Sequence, residues 1–186
     1  MNYTRRTTLA GGFALAGLLV PVASMALGAS AASLDSNGAA ALQRLLAASP
    51  KARLFQQKAH AVLVFPRIIK AGFIVGAQSG DGVLFVHGRP EAYYNISAAS
   101  YGLQAGGQAF SYVLFFMNDS ALKYLRSSDG WSVGSGPSVV VIDKGKAMSN
   151  TSMTLTQDVY AFPFGQSGLM AGLGIEGSKI THIHPS

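Results

Sequence analysis

Gly72-Phe-Ile-Val-Gly76, Gly102-Leu-Gln-Ala-Gly106 and Gly168-Leu-Met-Ala-Gly172 repeat one frame, with glycine at i and i+4. The last two also share Leu and Ala. In a strand, i and i+4 point to the same face. Each segment then shows bare backbone on one face and apolar side chains on the other: Phe73 and Val75, Leu103 and Ala105, Leu169 and Ala171. Bare backbone permits sharp sheet curvature or close approach of another element. A ligand lying against the bare face is the alternative use. The same frame marks the dimer face of membrane helices, but these segments are too short to span a bilayer.

Outward from these segments the pattern is mostly that of strands. Ala61–Phe65 is a short apolar run ended by Pro66. Gly72–Ala77 and Gly82–Val86 follow, and the linking Gln78-Ser79-Gly80-Asp81 supplies hairpin chemistry. Tyr93–Ser97, Leu103–Phe110 and Tyr112–Met117 continue the pattern. Val139–Ile142, Ser152–Thr156, Val159–Phe162, Leu169–Ile175 and Ile180–Ile183 are the later strand candidates.

Helical spacing appears in three places. Leu42, Leu45 and Leu46 fall at i, i+3 and i+4, which predicts a helix over Ala39–Ala48. Ser49-Pro50 breaks it, and Lys51–Ala59 is a second helical segment. Asn118 or Asp119 caps a short helix over Ser120–Arg126, with Ala121, Leu122 and Leu125 as its stripe and Gly130 just past its end. The expected fold is α+β: a curved, largely antiparallel sheet or small barrel with N-terminal helices and one short internal helix.

The first thirty-one residues have the layout of an export signal. Met1–Thr8 is a polar head with Arg5 and Arg6 and no acid, Leu9–Leu27 is an apolar and small-residue stretch, and Ala29-Ser-Ala31 is a small-x-small site. Arg5-Arg6 followed by Leu9 resembles a twin-arginine motif. Thr8 stands where such motifs usually carry a large apolar residue, which keeps the general secretory route as an alternative. Cleavage is expected after Ala31, giving a soluble periplasmic or secreted product. The chain then divides into residues 1–31 (signal), 32–60 (helical segment) and 61–186 (β-rich domain). The chain has no cysteine, so a lipoprotein anchor at the cleavage site and disulfides are both excluded.

Composition narrows the class further. Charged residues make up 12% of the chain and glycines number 22, a profile of β-rich folds more than of helical bundles. Cleavage removes Arg5 and Arg6 and no acid, leaving 12 basic residues against 8 acidic ones. That excess favours anionic surfaces but is far from the dense basic stripe of a nucleic-acid binder.

Catalytic motifs are missing. There is no nucleophile elbow, phosphate-binding loop, dinucleotide fingerprint or His-Glu-x-x-His. His182 and His184 make half a zinc shell at most and are expected in a solvated tail, while His60 and His87 are isolated. The acids Asp81, Glu91, Asp119, Asp129, Asp143, Asp158 and Glu176 are scattered, mostly in turn or cap settings. No catalytic residue, cofactor or metal is assigned.

What remains is a basic segment, Lys51, Arg53, Lys58, Arg67 and Lys70, interleaved with Leu54, Phe55, Phe65, Ile68 and Ile69. Basic plus apolar is the composition of a surface that meets anionic lipid. A solvated helix face packed on a sheet has the same composition.

Over Phe65–Ile180 the chain resembles a SYLF domain. The matching pieces are Val62-Leu-Val-Phe-Pro66, Lys70-Ala-Gly-Phe-Ile-Val-Gly76, Gly80-Asp-Gly-Val-Leu84 and Ser100-Tyr-Gly-Leu-Gln-Ala-Gly-Gly-Gln108. Val113-Leu-Phe-Phe-Met-Asn118, Ser167-Gly-Leu-Met-Ala-Gly172 and Glu176-Gly177 follow in family order. Gly88-Arg89-Pro90 departs from the tryptophan that members often carry before this proline. The resemblance implies a non-enzymatic lipid-binding module, with phosphoinositides as ligands of eukaryotic members and an N-terminal amphipathic segment touching the membrane. By position, Lys51, Arg53, Lys58, Arg67 and Lys70 are the membrane-facing candidates. The actin role of some eukaryotic members does not suit an exported protein. The expected partner is lipid or an anionic membrane surface, with a protein partner in the cell envelope as the alternative.

Overall fold

The computed structural model describes residues 30–142, 155–168 and 177–186. Three helices and six strands are present among them: α1 (Ala31–Ala48), α2 (Pro50–Lys58), β1 (Ala61–Val86), β2 (Arg89–Phe116), α3 (Asp119–Ser127), β3 (Trp131–Ser132), β4 (Val139–Val141), β5 (Val159–Gly168) and β6 (Lys179–Ile183). All ladders are antiparallel except β4 with β5. The α+β expectation with a curved, largely antiparallel sheet holds.

The framework is one long hairpin. β1 pairs with β2 from Ala61↔Phe116 to Val86↔Arg89. The turn is His87-Gly88, with φ of 49° and 77°, the two positive values that a two-residue type I′ turn requires. The hairpin expected at Gln78–Asp81 is therefore corrected, because those residues run on inside β1. Pro66 likewise does not end the strand. It sits in a register shift between Phe65 and Ile68, a setting that tolerates its missing N–H. The Ser111 hydroxyl donates to the Pro66 carbonyl at 2.7 Å.

The hairpin then folds over on itself at its glycine frames. A Cβ on Gly72 would lie 2.2 Å from the Gly76 Cα. In a straight strand, positions i and i+4 are about 13 Å apart. Both strands bend together: Gly72 faces Gly106, Ile74 faces Gly102, and the register shifts between these pairs. Curvature, expected from the frame, is thus its use at Gly72–Gly76. Residues 169–176, which complete the third frame, lie outside the described residues, as does most of the expected strand Ser152–Thr156.

Folding over brings the two arms of β1 together. A Cβ on Gly80 would meet the Arg67 carbonyl at 2.5 Å, and one on Gly82 the Val64 carbonyl at 2.6 Å. The space between the arms is the inner core. Leu63, Phe65 and Ile68 come from the near arm, and Leu84, Tyr94 and Ile96 from the far arm. Phe110, Tyr112, Leu114 and Phe116 of β2 join them, and α3 closes one end with Ala121, Leu122 and Leu125. The Asn118 side chain accepts from the Ala121 N–H at 2.9 Å, the expected N-cap. Gly130 has φ 115° but does not cap, since the C-cap is Ser128 in extended conformation.

The outer face of the sheet is covered by α1 and α2. Leu42, Leu45, Leu46, Ala52 and Phe55 lie on Val62, Val64, Val113, Phe115, Tyr160 and Phe162, and also on Val83 and Phe85 of the far arm. Helix α1 therefore straps both arms. It begins eight residues earlier than the apolar spacing predicts, because the Ser30 hydroxyl caps it by accepting from Ser33 N–H. Leu34 and Gly38 also bury against the sheet. Tertiary contact overrides the poor helix propensity of Ser36-Asn37-Gly38. The Tyr93 hydroxyl donates to Asp35 at 3.0 Å and fixes the same end.

Candidate functional site

The five basic candidates fall on two elements. Lys51, Arg53 and Lys58 lie on α2, and Arg67 and Lys70 on the near arm of β1. Phe55 and Ala52 bury one side of α2, leaving Arg53, Leu54, Gln57 and Lys58 exposed. Lys51 and Lys70 are half-buried and Arg67 is exposed. The Arg53 guanidinium donates to the Leu46 carbonyl, so it also ties α2 to the end of α1. Lys58 stands in the last turn of α2, where a cation favours the helix dipole.

Large apolar side chains are exposed on the same two elements. Leu54 is 58% exposed, Ile69 42% and Val75 55%. Ile69 is on the outer face of the sheet, paired with Ala109, beyond the part that α1 and α2 cover. Neither α2 nor residues 66–80 and 97–109 of the bent hairpin contain a single Asp or Glu, while these segments hold all five basic candidates. Segments that expose apolar side chains among cations and carry no carboxylate of their own attract anions and offer area to hydrocarbon. Leu54 and Ile69 were named from the sequence. The glycine frame places Val75 on the apolar face opposite its bare backbone, and the structure leaves that side chain open.

The titratable groups elsewhere serve the fold. His60 Nδ1 is 2.6 Å from Asp119 Oδ1, joining the start of β1 to α3. Glu91 pairs with Arg126, and Asp81 accepts from the Asn95 amide at 2.7 Å. Both acids lie within strands, not in the turns expected of them. His182 also sits on a strand, β6, rather than in a tail, with its ring edge-on to Tyr94 at 5.3 Å and to His184 at 4.6 Å. Among the described residues no group of three or more His, Cys, Asp or Glu is placed to hold a metal ion. No described helix is long and apolar enough to cross a membrane.

Among the described acids, Asp158 is held by the most hydrogen bonds. Its carboxylate accepts from the Ser138 N–H at 2.8 Å, the Asn118 amide at 2.8 Å and the Ser138 hydroxyl at 2.8 Å. These bonds, the Ser138 backbone N–H first, lower its pKa. A depressed folded pKa gives stability that is present above the unfolded carboxylate value, about 4, and is lost as pH falls through the folded value. Asp158→Ala is expected to cost about 2 kcal/mol at neutral pH and to flatten the acid limb of stability below about pH 4. Urea denaturation of both forms at neutral and acid pH checks this.

On the inner face, Tyr112 is fully buried, and its hydroxyl has no hydrogen-bond partner among the described residues. Burial pushes its pKa up, so it stays a neutral phenol. The Gln108 carbonyl oxygen is also buried and has no partner among the described residues, whereas Gln78 donates to Ser178 at 3.1 Å.

A rolled hairpin strapped by two helices, with apolar and basic side chains exposed on acid-free segments, defines a module whose exposed chemistry suits binding. Residues 97–184 match the Ysc84 family, described as Las17-binding protein actin regulator. The match runs from within β2 through β6 and agrees with the SYLF resemblance that the sequence motifs carry. No curated protein matches the chain.

Proposed function

We propose that this protein is exported from the cytoplasm and binds anionic lipid at a membrane surface, without catalysing a reaction. The observation that carries this reading is that helix α2 and segments 66–80 and 97–109 contain no acid, while Leu54, Ile69 and Val75 on them stand open and Lys51, Arg53, Lys58, Arg67 and Lys70 lie on the same segments. Each exposed aliphatic side chain gains on entering an apolar phase, and each cation near an anionic leaflet adds roughly 1 kcal/mol. The export signal at residues 1–31 supports action outside the cytoplasm, so the actin regulation named for the family is not proposed for this chain. Helix α1 begins at Ala31, where that signal is expected to end.

The family's description, which names binding to Las17, favours a second reading: a protein of the cell envelope as partner on the same surface. Co-sedimentation of the purified protein with vesicles separates the two. Phosphatidylglycerol-containing vesicles are expected to pellet it at low salt, and pure phosphatidylcholine vesicles to leave it in the supernatant. No pelleting with either would overturn the lipid reading.

A further inference from the structure

Two elements compete to be the part that enters the membrane, and they differ physically. Helix α2 is anchored: Phe55 lies under Phe115, Tyr160 and Phe162, and Arg53 is tied to Leu46. Its only large apolar side chain in the open is Leu54. The fold edge of the hairpin is different. Among the described side chains between Arg67 and Ser79, Ile69, Ala71, Val75 and Ala77 are exposed, and Ala99 joins them from β2.

The edge belongs to the β1–β2 ladder. Its backbone is paired even at the bend, through Gly72↔Gly106, Ile74↔Gly102, Val75↔Tyr101 and Gly76↔Ser100. That matters because backbone groups entering an apolar phase must already be satisfied. Arg67 and Lys70 are the only charged residues in 66–80 and 97–109. Along these segments the edge therefore carries exposed apolar side chains and two cations, with no Asp or Glu of its own.

Resting on the membrane-surface reading above, we propose that this fold edge is the inserting element, with Ile69 and Val75 entering the acyl boundary and Arg67 and Lys70 meeting anionic headgroups. Helix α2 then lies above the surface and adds attraction without depth. The glycine frames serve this arrangement directly, since the same bend that closes the core turns Val75 outward.

Because the chain has no native cysteine, one environment-sensitive label reports one position. V75C, L54C and S132C, each labelled, are mixed with vesicles of phosphatidylglycerol and phosphatidylcholine, some carrying a nitroxide high on the acyl chain. The label at 75 is expected to shift to the blue and be quenched several-fold, while the label at 132 does neither. The same result with the label at 54 also responding still supports the proposal. A response at 54 without one at 75 overturns it and leaves the membrane reading standing. Co-sedimentation with all labels silent also overturns it. No co-sedimentation at all overturns the membrane reading itself.

Discussion

Gly80→Val is expected to lower the stability of the fold by about 3 kcal/mol, the upper part of the range for overpacking a filled site. The cause is backbone, not side chain. A Cβ at this position would lie 2.5 Å from the Arg67 carbonyl and 2.9 Å from the Ile68 Cα. Neither atom can swing away as the tip of a flexible side chain does, so the two arms of β1 must separate. Separation exposes the core between them, including Phe65 and Ile68, which are fully buried. The urea midpoint is expected to fall by roughly 1–2 M. Gly107→Ala is the control, because its nearest neighbour, the Lys70 carbonyl, is 4.0 Å away. That variant is expected to be neutral or slightly stabilising. Equal losses from both would mean that the arms do not close on each other.

Phe55→Ala is expected to cost about 3–4 kcal/mol, as for other buried aromatic truncations. The ring is 2% exposed. Its centroid lies 4.4 Å from that of Tyr160 and 5.3 Å from that of Phe162. No other large side chain of α2 is buried, and a nine-residue helix has little stability of its own. Removing this ring should therefore undock α2 while the hairpin persists. Hydrogen exchange reads the difference: amides of residues 52–59 are expected to lose protection, and those of 61–65 and 112–116 to keep it. Uniform loss across both regions would show that helix and sheet unfold as one unit.

Local features were readable from the residues themselves. The leucines at 42, 45 and 46 mark the buried stripe of α1, Asn118 marks the start of α3, and the glycine frame at 72–76 marks a bend. Each depends on a few adjacent residues. The misreadings came from contacts made across the chain. Gln78-Ser79-Gly80-Asp81 has the composition of a turn, yet Gly80 is used for its bare backbone against Arg67, thirteen positions earlier. Pro66 resembles a strand end, yet a register shift absorbs it and Ser111 satisfies its carbonyl. His87-Gly88 forms the turn although no stronger signal marked it. Loop and strand compositions overlap wherever a long strand must bend or be approached closely.

The candidate surface was legible in part for the same reason. The basic residues and Leu54 stand out in the sequence. That Ile69 and Val75 stay open, while Ile68 is sealed between the arms, follows only from the way the hairpin folds over. The absence of acids from both basic segments becomes meaningful once those segments are seen to form exposed surface.

The most direct test of the account is a salt titration of binding to vesicles containing phosphatidylglycerol. Attraction between exposed cations and an anionic leaflet is screened within about 8–10 Å at physiological ionic strength. The account predicts that the bound fraction falls steeply as salt rises, and that Arg67→Glu weakens binding at low salt without lowering the urea midpoint. Binding that is unaffected by salt, equal on purely zwitterionic vesicles and unchanged by Arg67→Glu would contradict it.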